Sequence, residues 1–247
     1  MVRSLNELVY ELIELYRANF KVTDSVDERL MATWIQYTRA KLIKQRLDEH
    51  MRIPDEHWVQ DLGSVEMEII DSSVSSELNT GAISSGKTIL RSVEEIPSTI
   101  HFKGAPGGFT RIGPADLLSR GYNIVTYQRA LDSGYSKFNR NDIYAFLHGK
   151  HVYIVNRNQT HKFIKYINIT GIFQNPIEAY EFNSDNSTYD WDYEYPISEA
   201  LVGDMKNIIL QENFKLIMMP MDDKTPNSID NITNPPPEEG IINPNKR

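Results

Sequence analysis

At 247 residues, with 40% hydrophobic and 24% charged side chains, the chain has ordinary globular composition and enough length to bury a core as one or two domains. A formal net charge of −8 argues against general coating of nucleic acid, and the absence of cysteine excludes disulfides, thiolate nucleophiles and most structural zinc sites. No apolar run approaches a membrane-spanning length and MVRSLNELVYEL lacks the layout of a signal peptide, so the sequons at Asn158, Asn168, Asn186 and Asn231 carry no weight and a soluble intracellular protein is expected.

In chain order, the first element is a helix over roughly residues 5 to 19. Ser4 is a natural N-cap, and Leu5, Leu8, Val9, Leu12, Ile13 and Tyr16 form one apolar stripe at helical spacing. The run SVDE opens a second helix, with Ser25 and Glu28 as a capping box and Asp27 adding favourable charge at the helix start. It extends to about His50, with Leu30, Met31, Trp34, Ile35, Thr38, Leu42 and Leu47 on one face and Arg39, Lys41, Lys44 and Arg46 mainly elsewhere. Two such helices joined by a short loop make an antiparallel αα-hairpin. A short helix over Pro54 to Asp61, carrying Trp58, completes an N-terminal helical region of residues 1–75.

Residues 81–88, GAISSGKT, match the phosphate-loop pattern letter for letter. Their surroundings do not fit it. A phosphate loop follows a buried strand and opens a long helix whose N-terminus faces the phosphates. Here polar DSSVSSELNT precedes the motif, and Pro97 stops any helix soon after Thr88. The later apolar strands end in Asn156 and Gly171, not in a Mg²⁺-holding acid. The motif reads as a polar turn, and a phosphate-loop nucleotide-binding enzyme is the disfavoured alternative.

From about Lys87 the hydrophobic period changes to two. The expected strands are Thr88–Val93, Thr99–Lys103, Asn123–Ala130, Asp142–Leu147, His151–Asn156 and His161–Ile169, the last three forming a meander of hairpins. GAPGG at 104–108 is a loop, and PADLLSR at 114–120 reads as one or two helical turns. Residues 76–196 therefore form a β-rich insertion. Within it, residues 178–195 hold six acids among aromatic side chains, and no Lys or Arg occurs between Lys165 and Lys206. Ser198 caps a further helix to about residue 214, carrying Leu201, Val202, Met205, Ile208, Ile209 and Phe214. The segment 197–220 is expected to pack on the N-terminal helices. Residues 221–247 hold five prolines and few large apolar groups, and read as an extended Pro-rich tail. The expected fold class is α+β: an antiparallel helical core, formed by the hairpin and the C-terminal helix, with an inserted antiparallel β region and an extended C-terminal tail.

No residue is assigned to catalysis, cofactor binding or metal binding. His148 and His151 bracket a hairpin turn without a third ligand at metal-site spacing. Asp190, Asp192 and Glu194 share a face on an extended segment, but no glycine stands where a calcium loop turns. The basic cluster from Arg39 to Arg46 reads as a solvated helix face, with phosphate contact as the alternative. The stretch Tyr189, Asp190, Trp191, Asp192, Tyr193, Glu194 and Tyr195 reads as an interface strip, aromatic anchors alternating with acids that set register. Ile241 and Ile242 are aliphatic anchors on the tail, placed to fill pockets on an adjacent subunit.

Several stretches carry a resemblance: WIQYTRAKLIKQRLDEHMRIPDEHWVQDLGSVEMEIID, TRIGPADLLSRGYNIVTYQRA, RNDIYAFLHGKHVYIVN, KYINITGIF and DYEYPISEALVGDMKNIILQENF. From about Leu12 to Pro220 the chain resembles structural proteins of crAss-like bacteriophages, specifically the neck ring protein next to the portal. The likeness spans the chain rather than a catalytic signature, so it implies architecture and role and no active-site residues. It implies a homo-oligomeric ring, expected dodecameric, in the head-to-tail connector of a virion, made in the host cytoplasm. Its implied partners are the portal protein, other neck or tail ring proteins, and genomic DNA passing through the lumen without sequence-specific binding. A lower neck ring or tail hub subunit is the alternative within that class.

Overall fold

The computed structural model describes residues 3–20, 27–50, 55–70, 89–103, 106–116, 118–132, 137–158, 160–183 and 187–214. The turn 81–88, Ser25 and the tail with Ile241 and Ile242 lie outside the described residues.

The first helix, α1 (Leu5–Phe20), begins where its apolar stripe does. The Glu7 amide donates to Ser4 Oγ at 3.2 Å and the Ser4 amide donates to Glu7 Oε2 at 3.3 Å. This reciprocal box satisfies two amides near the helix start. All six stripe residues of α1 are buried. The second helix, α2 (Glu28–His50), is capped by Asp27, whose carboxylate accepts the Arg29 amide at 2.9 Å. Met31, Ile35, Ile43 and Leu47 form its buried stripe. Leu30, expected on that face, is 38% exposed, and Trp34 is half-buried at its margin.

Near the other end of the chain, Glu199–Ile208 form a helix prolonged by a π turn at Ile209–Asn213. This element is α5 below, because two shorter helices, α3 and α4, precede it in the chain. The wider π turn keeps Phe214 on the face of Met205 and Ile209. There Phe214 stacks on Tyr16 with centroids 4.5 Å apart and meets Trp34 edge-on at 5.2 Å. Buried residues of α1, α2 and α5 belong to one apolar cluster, joined by Trp58, Ile100 and Ile172 from the β half of the chain.

Seven strands make one sheet: β1 (Gln60–Ile70), β2 (Ile89–Ser92), β3 (Phe109–Pro114), β4 (Asn123–Ile124), β5 (Tyr144–His148), β6 (His151–Val155) and β7 (Tyr166–Gly171), in the order β3-β7-β1-β2-β6-β5-β4. Every pairing is antiparallel except β4 with β5. The long strand β1 serves both halves: Gln60 to Glu66 pair with β7, and Met67 to Ile70 pair with β2. A bulge at Gly63 (φ 72°) bends it. The sheet curls until its edge strands meet, and the Tyr122 amide donates to Ile112 O at 2.7 Å. Leu62, Val65, Ile112, Val152, Ile154, Ile167 and Ile169 fill the inside. A short helix α3 (Tyr127–Asp132) covers β5, and α4 (Pro176–Asn183) lies on β1.

Several expectations need correction. β1 falls inside the 1–75 stretch read as helical, and the short helix at Trp58 is a single 3-10 turn, Glu56–Trp58. The expected strand Asn123–Ala130 stops at Ile124 and turns into α3. Thr99–Lys103 contributes isolated bridges at Thr99, paired with Phe173, and at Phe102 instead of a strand. The start of His161–Ile169 is a 3-10 turn, Thr160–Phe163. PADLLSR begins on Pro114, the last residue of the unforeseen strand β3, and its described residues form bends and a turn instead of helical turns.

Candidate assembly interface

The strip Tyr189 to Tyr195 is a turn laid across the start of α1, not a straight extended segment. The Tyr193 amide donates to Asp190 O at 3.0 Å, and the Asp192 amide donates to Asp190 Oδ1 at 3.1 Å, an Asx turn. The Asn6 amide, among the unsatisfied donors at the start of α1, donates to Trp191 O at 3.0 Å. The Asn6 side chain donates to Asp192 Oδ1 at 2.8 Å. The Tyr195 amide donates to Arg3 O at 3.0 Å, and Ser4 bridges Glu194.

Consequently the seven strip residues divide. Tyr189 and Tyr195 are buried core anchors, Trp191 is half-buried, and Asp190, Asp192, Tyr193 and Glu194 face outward. Tyr180 of α4 completes a ring cluster, edge-on to Tyr189 at 5.3 Å and tilted against Tyr193 at 5.5 Å. Burial, reinforced by the Asp190 charge, pushes the Tyr189 hydroxyl up to about 12, so it stays protonated at neutral pH and donates to Tyr193 O at 3.3 Å. Because the segment turns, Asp190, Asp192 and Glu194 do not alternate along one extended strand, although all three are exposed. Among the described residues no group of three or more His, Asp or Glu side chains is placed to hold a metal.

Beneath the strip lies Arg39, fully buried. Its Nε donates to Pro196 O at 2.6 Å and its Nη1 donates to Phe173 O at 3.0 Å. The guanidinium sits 5.9 Å from the Tyr195 ring centre. Arg39 Nη2 and the Tyr195 hydroxyl have no hydrogen-bond partner among the described residues. Burial pushes the Arg39 pKa down, with Tyr195 opposing. A guanidinium nevertheless keeps its charge. Arg39 thus leaves the basic face to which the sequence assigned it. It ties the strip and the end of β7 to the middle of α2. The spacing held a signal for this: Arg39 lies four residues after Ile35 and four before Ile43, on the buried stripe. Lys41 ion-pairs with Glu212 at 2.9 Å, while Lys44 and Arg46 are exposed.

Around the strip, Arg3 joins two elements, donating to Glu11 at 2.5 Å and Glu199 at 2.9 Å, and Lys206 also pairs with Glu11. Burial raises the Glu11 pKa, but the Lys206 hydrogen bond and the Lys206 and Arg3 charges outweigh it and the net direction is down. An open groove of about 640 Å³ runs between the start of α2 and the turn, lined by Asp27, Glu28, Arg29, Tyr189, Asp190 and Trp191. Arg29 therefore lines the same groove as Asp190, a cation on the strip's groove that the charge gap in the sequence hid.

The remaining histidine pair is structural in its contacts. His148 and His151 are cross-strand partners. His151 Nδ1 sits 3.0 Å from Ser92 O, and the His148 ring packs 5.1 Å from Tyr127.

A family model described as phage tail ring protein 2 matches residues 7–232. Ring protein 2 of Bacteroides phage crAss001 is 26% identical over 213 residues, covering 84% of this chain and 88% of that protein.

Proposed function

The chain belongs to the phage tail ring protein 2 family, and from that premise we propose that it is a non-enzymatic virion protein. In this reading it forms a ring of the head-to-tail connector below the portal, extends the DNA channel and docks the next tail component. The observation that carries the reading is the extent of the likeness, which takes in the helical hairpin, the whole sheet and α5. Ring closure requires a heterologous interface, and the outward acids of the strip supply one candidate face. A dodecamer, contact with the portal and contact with further ring proteins complete the assembly. A net charge of −8 suits a lumen wall past which DNA slides without sticking. The hairpin and α5 form one unit with the sheet inserted between them, starting at Gln60 instead of residue 76. Because the family is described as a tail ring, a lower ring or tail hub position is the second reading.

Mass spectrometry of purified particles followed by reconstruction of the portal–tail junction tests this. The expected result is a closed ring of this subunit around the channel. Absence from the particles overturns it. Calorimetric titration with ATP tests the enzyme alternative: binding that disappears in Lys87→Ala would replace the structural reading with a nucleotide-dependent one.

A further inference from the structure

Strand register divides the molecule into two ends. Pro114 beside Ile167, Tyr144 beside Val155, and Ile70 beside Ile89 mark one end of the curled sheet. Gln60 and Phe109 beside Gly171, and the His148–His151 hairpin, mark the other. The described residues of the connections 115–122, 133–143 and 156–165 therefore gather at the first end. The helical cluster, reached through Trp58, Ile100 and Ile172, sits at the second.

These two ends differ in charge. In a chain of net charge −8, the three gathered connections carry Arg120, Lys137, Arg140, Arg157, Lys162 and Lys165 against only Asp116 and Asp142. All six cations are exposed. The same connections hold large apolar side chains in water: Leu118 is 96% exposed, Phe138 89% and Phe163 89%. Three such side chains in connections at the same end are candidate anchors for a partner. At the helical end the groove and strip present Asp27, Glu28, Asp190, Asp192 and Glu194 around Tyr189, Trp191 and Tyr193, with Arg29 as the cation lining the groove.

We infer that the basic loop end of one copy docks on the acidic, aromatic-lined helical end of the next copy, with Phe163 and its neighbouring tips seated on the groove. This rests on the ring-subunit reading and names the faces that close the ring. Opposite charge at the two ends of one subunit generates a head-to-tail contact, and both faces are used once per subunit. DNA is the other polyanion a basic end could meet, but a phosphate backbone offers no seat for exposed Leu and Phe side chains.

Charge reversal tests it with the full chain. Lys162→Glu with Lys165→Glu alters the loop end. Glu28→Lys with Glu194→Lys alters the helical end, at carboxylates that accept no side-chain hydrogen bond among the described residues. Circular dichroism and melting check that each variant is folded, and analytical ultracentrifugation reads assembly. Each variant alone should raise the half-assembly concentration by about tenfold or more, because like charges then face each other. An equimolar mixture of the two variants should assemble like wild type, since every contact in an alternating ring is again complementary. Phe163→Ser should weaken assembly without lowering the melting temperature. Wild-type rings that survive both reversals overturn the pairing of ends and leave the ring reading standing. Loss without rescue on mixing also overturns it. Reduced binding of duplex DNA by the loop-end variant, with assembly unchanged, assigns that end to DNA and overturns it too. Wild type that forms no oligomer at all removes the ring reading together with this inference.

Discussion

Arg39 combines three properties seldom found together: complete burial, a fixed positive charge and no carboxylate among its hydrogen-bond partners. Its stabilisation comes from two backbone carbonyls that would otherwise be buried without donors, so removal has two costs, an empty volume and unpaired acceptors. Arg39→Ala should cost about 3–5 kcal/mol in urea unfolding. Arg39→Met keeps most of the volume and removes the desolvated charge but leaves both carbonyls without this donor, so it should cost less than Arg39→Ala, on the order of 2 kcal/mol. Equal small losses for both would mean that the guanidinium reaches water. Trp34 belongs at the same scale. It is half-buried and edge-on to Phe214, so Trp34→Ala should cost about 2–3 kcal/mol, below the loss for a fully enclosed tryptophan. The sequence placed Trp34 on the core face correctly but not its depth, since periodicity gives direction and says nothing of what closes over a side chain.

Among the elements, those whose pattern is uninterrupted were the legible ones. α1 has six buried residues at helical spacing and a visible cap, and β5 and β6 are joined by a glycine turn. β1 was hidden because the Gly63 bulge shifts its alternation, so QDLGSVEMEII keeps no single phase. α4 was hidden because PIEAYEFN buries little, although Asn175 before Pro176 is a helix-start signal and Asn175 Oδ1 accepts the Ile177 amide at 3.1 Å. Asn123–Ala130 misled through its β-branched run, whereas Thr126 accepts the Ala130 amide and starts α3. Glycines linking elements give a sharp contrast. A methyl group on Gly108 (φ +71°) would lie 2.4 Å from Ile100 O, whereas one on Gly149 (φ +60°) would meet nothing. Gly108→Ala should therefore cost more than about 3 kcal/mol or prevent folding, and Gly149→Ala only about 1 kcal/mol, read from melting curves. The Arg3–Glu11–Lys206 clamp between α1 and α5 predicts a pH effect. Glu11 has its pKa lowered in the folded state, so its contribution is present above the ordinary carboxylate range and fades as pH falls through the lowered value. Glu11→Gln should lose no more than about 1 kcal/mol at pH 7, because the pair is partly solvated, and the gap to wild type should narrow as pH falls below the ordinary carboxylate range.

For the whole molecule, membership of a phage ring-protein family was legible from a resemblance over most of the chain, while the location of a working surface was only half visible. The acids of the strip stood out as a gap in basic residues. Their burial pattern did not, because it depends on a turn held by Asn6 and Arg3 from the far end of the chain. The basic end was invisible in sequence, since its six cations lie in three separate connections that only strand register brings together. The tail is testable at this scale as well. A chain ending at Met221 should melt at the same temperature as the full chain yet form weaker or incomplete rings, measured by sedimentation. Full-strength rings would show that Ile241 and Ile242 have no part in stapling neighbours.

The divided pairing of β1 also sets an order of events during synthesis. Its second half finds β2 soon after leaving the ribosome, but Gln60 waits for Gly171. At roughly 5–20 residues per second, that delay is on the order of 5–20 s. Residues 189–195 emerge only after β7, the strand that completes β1. A nascent chain therefore completes the Tyr189–Tyr195 turn only after the strand that pairs with the first half of β1 has been made.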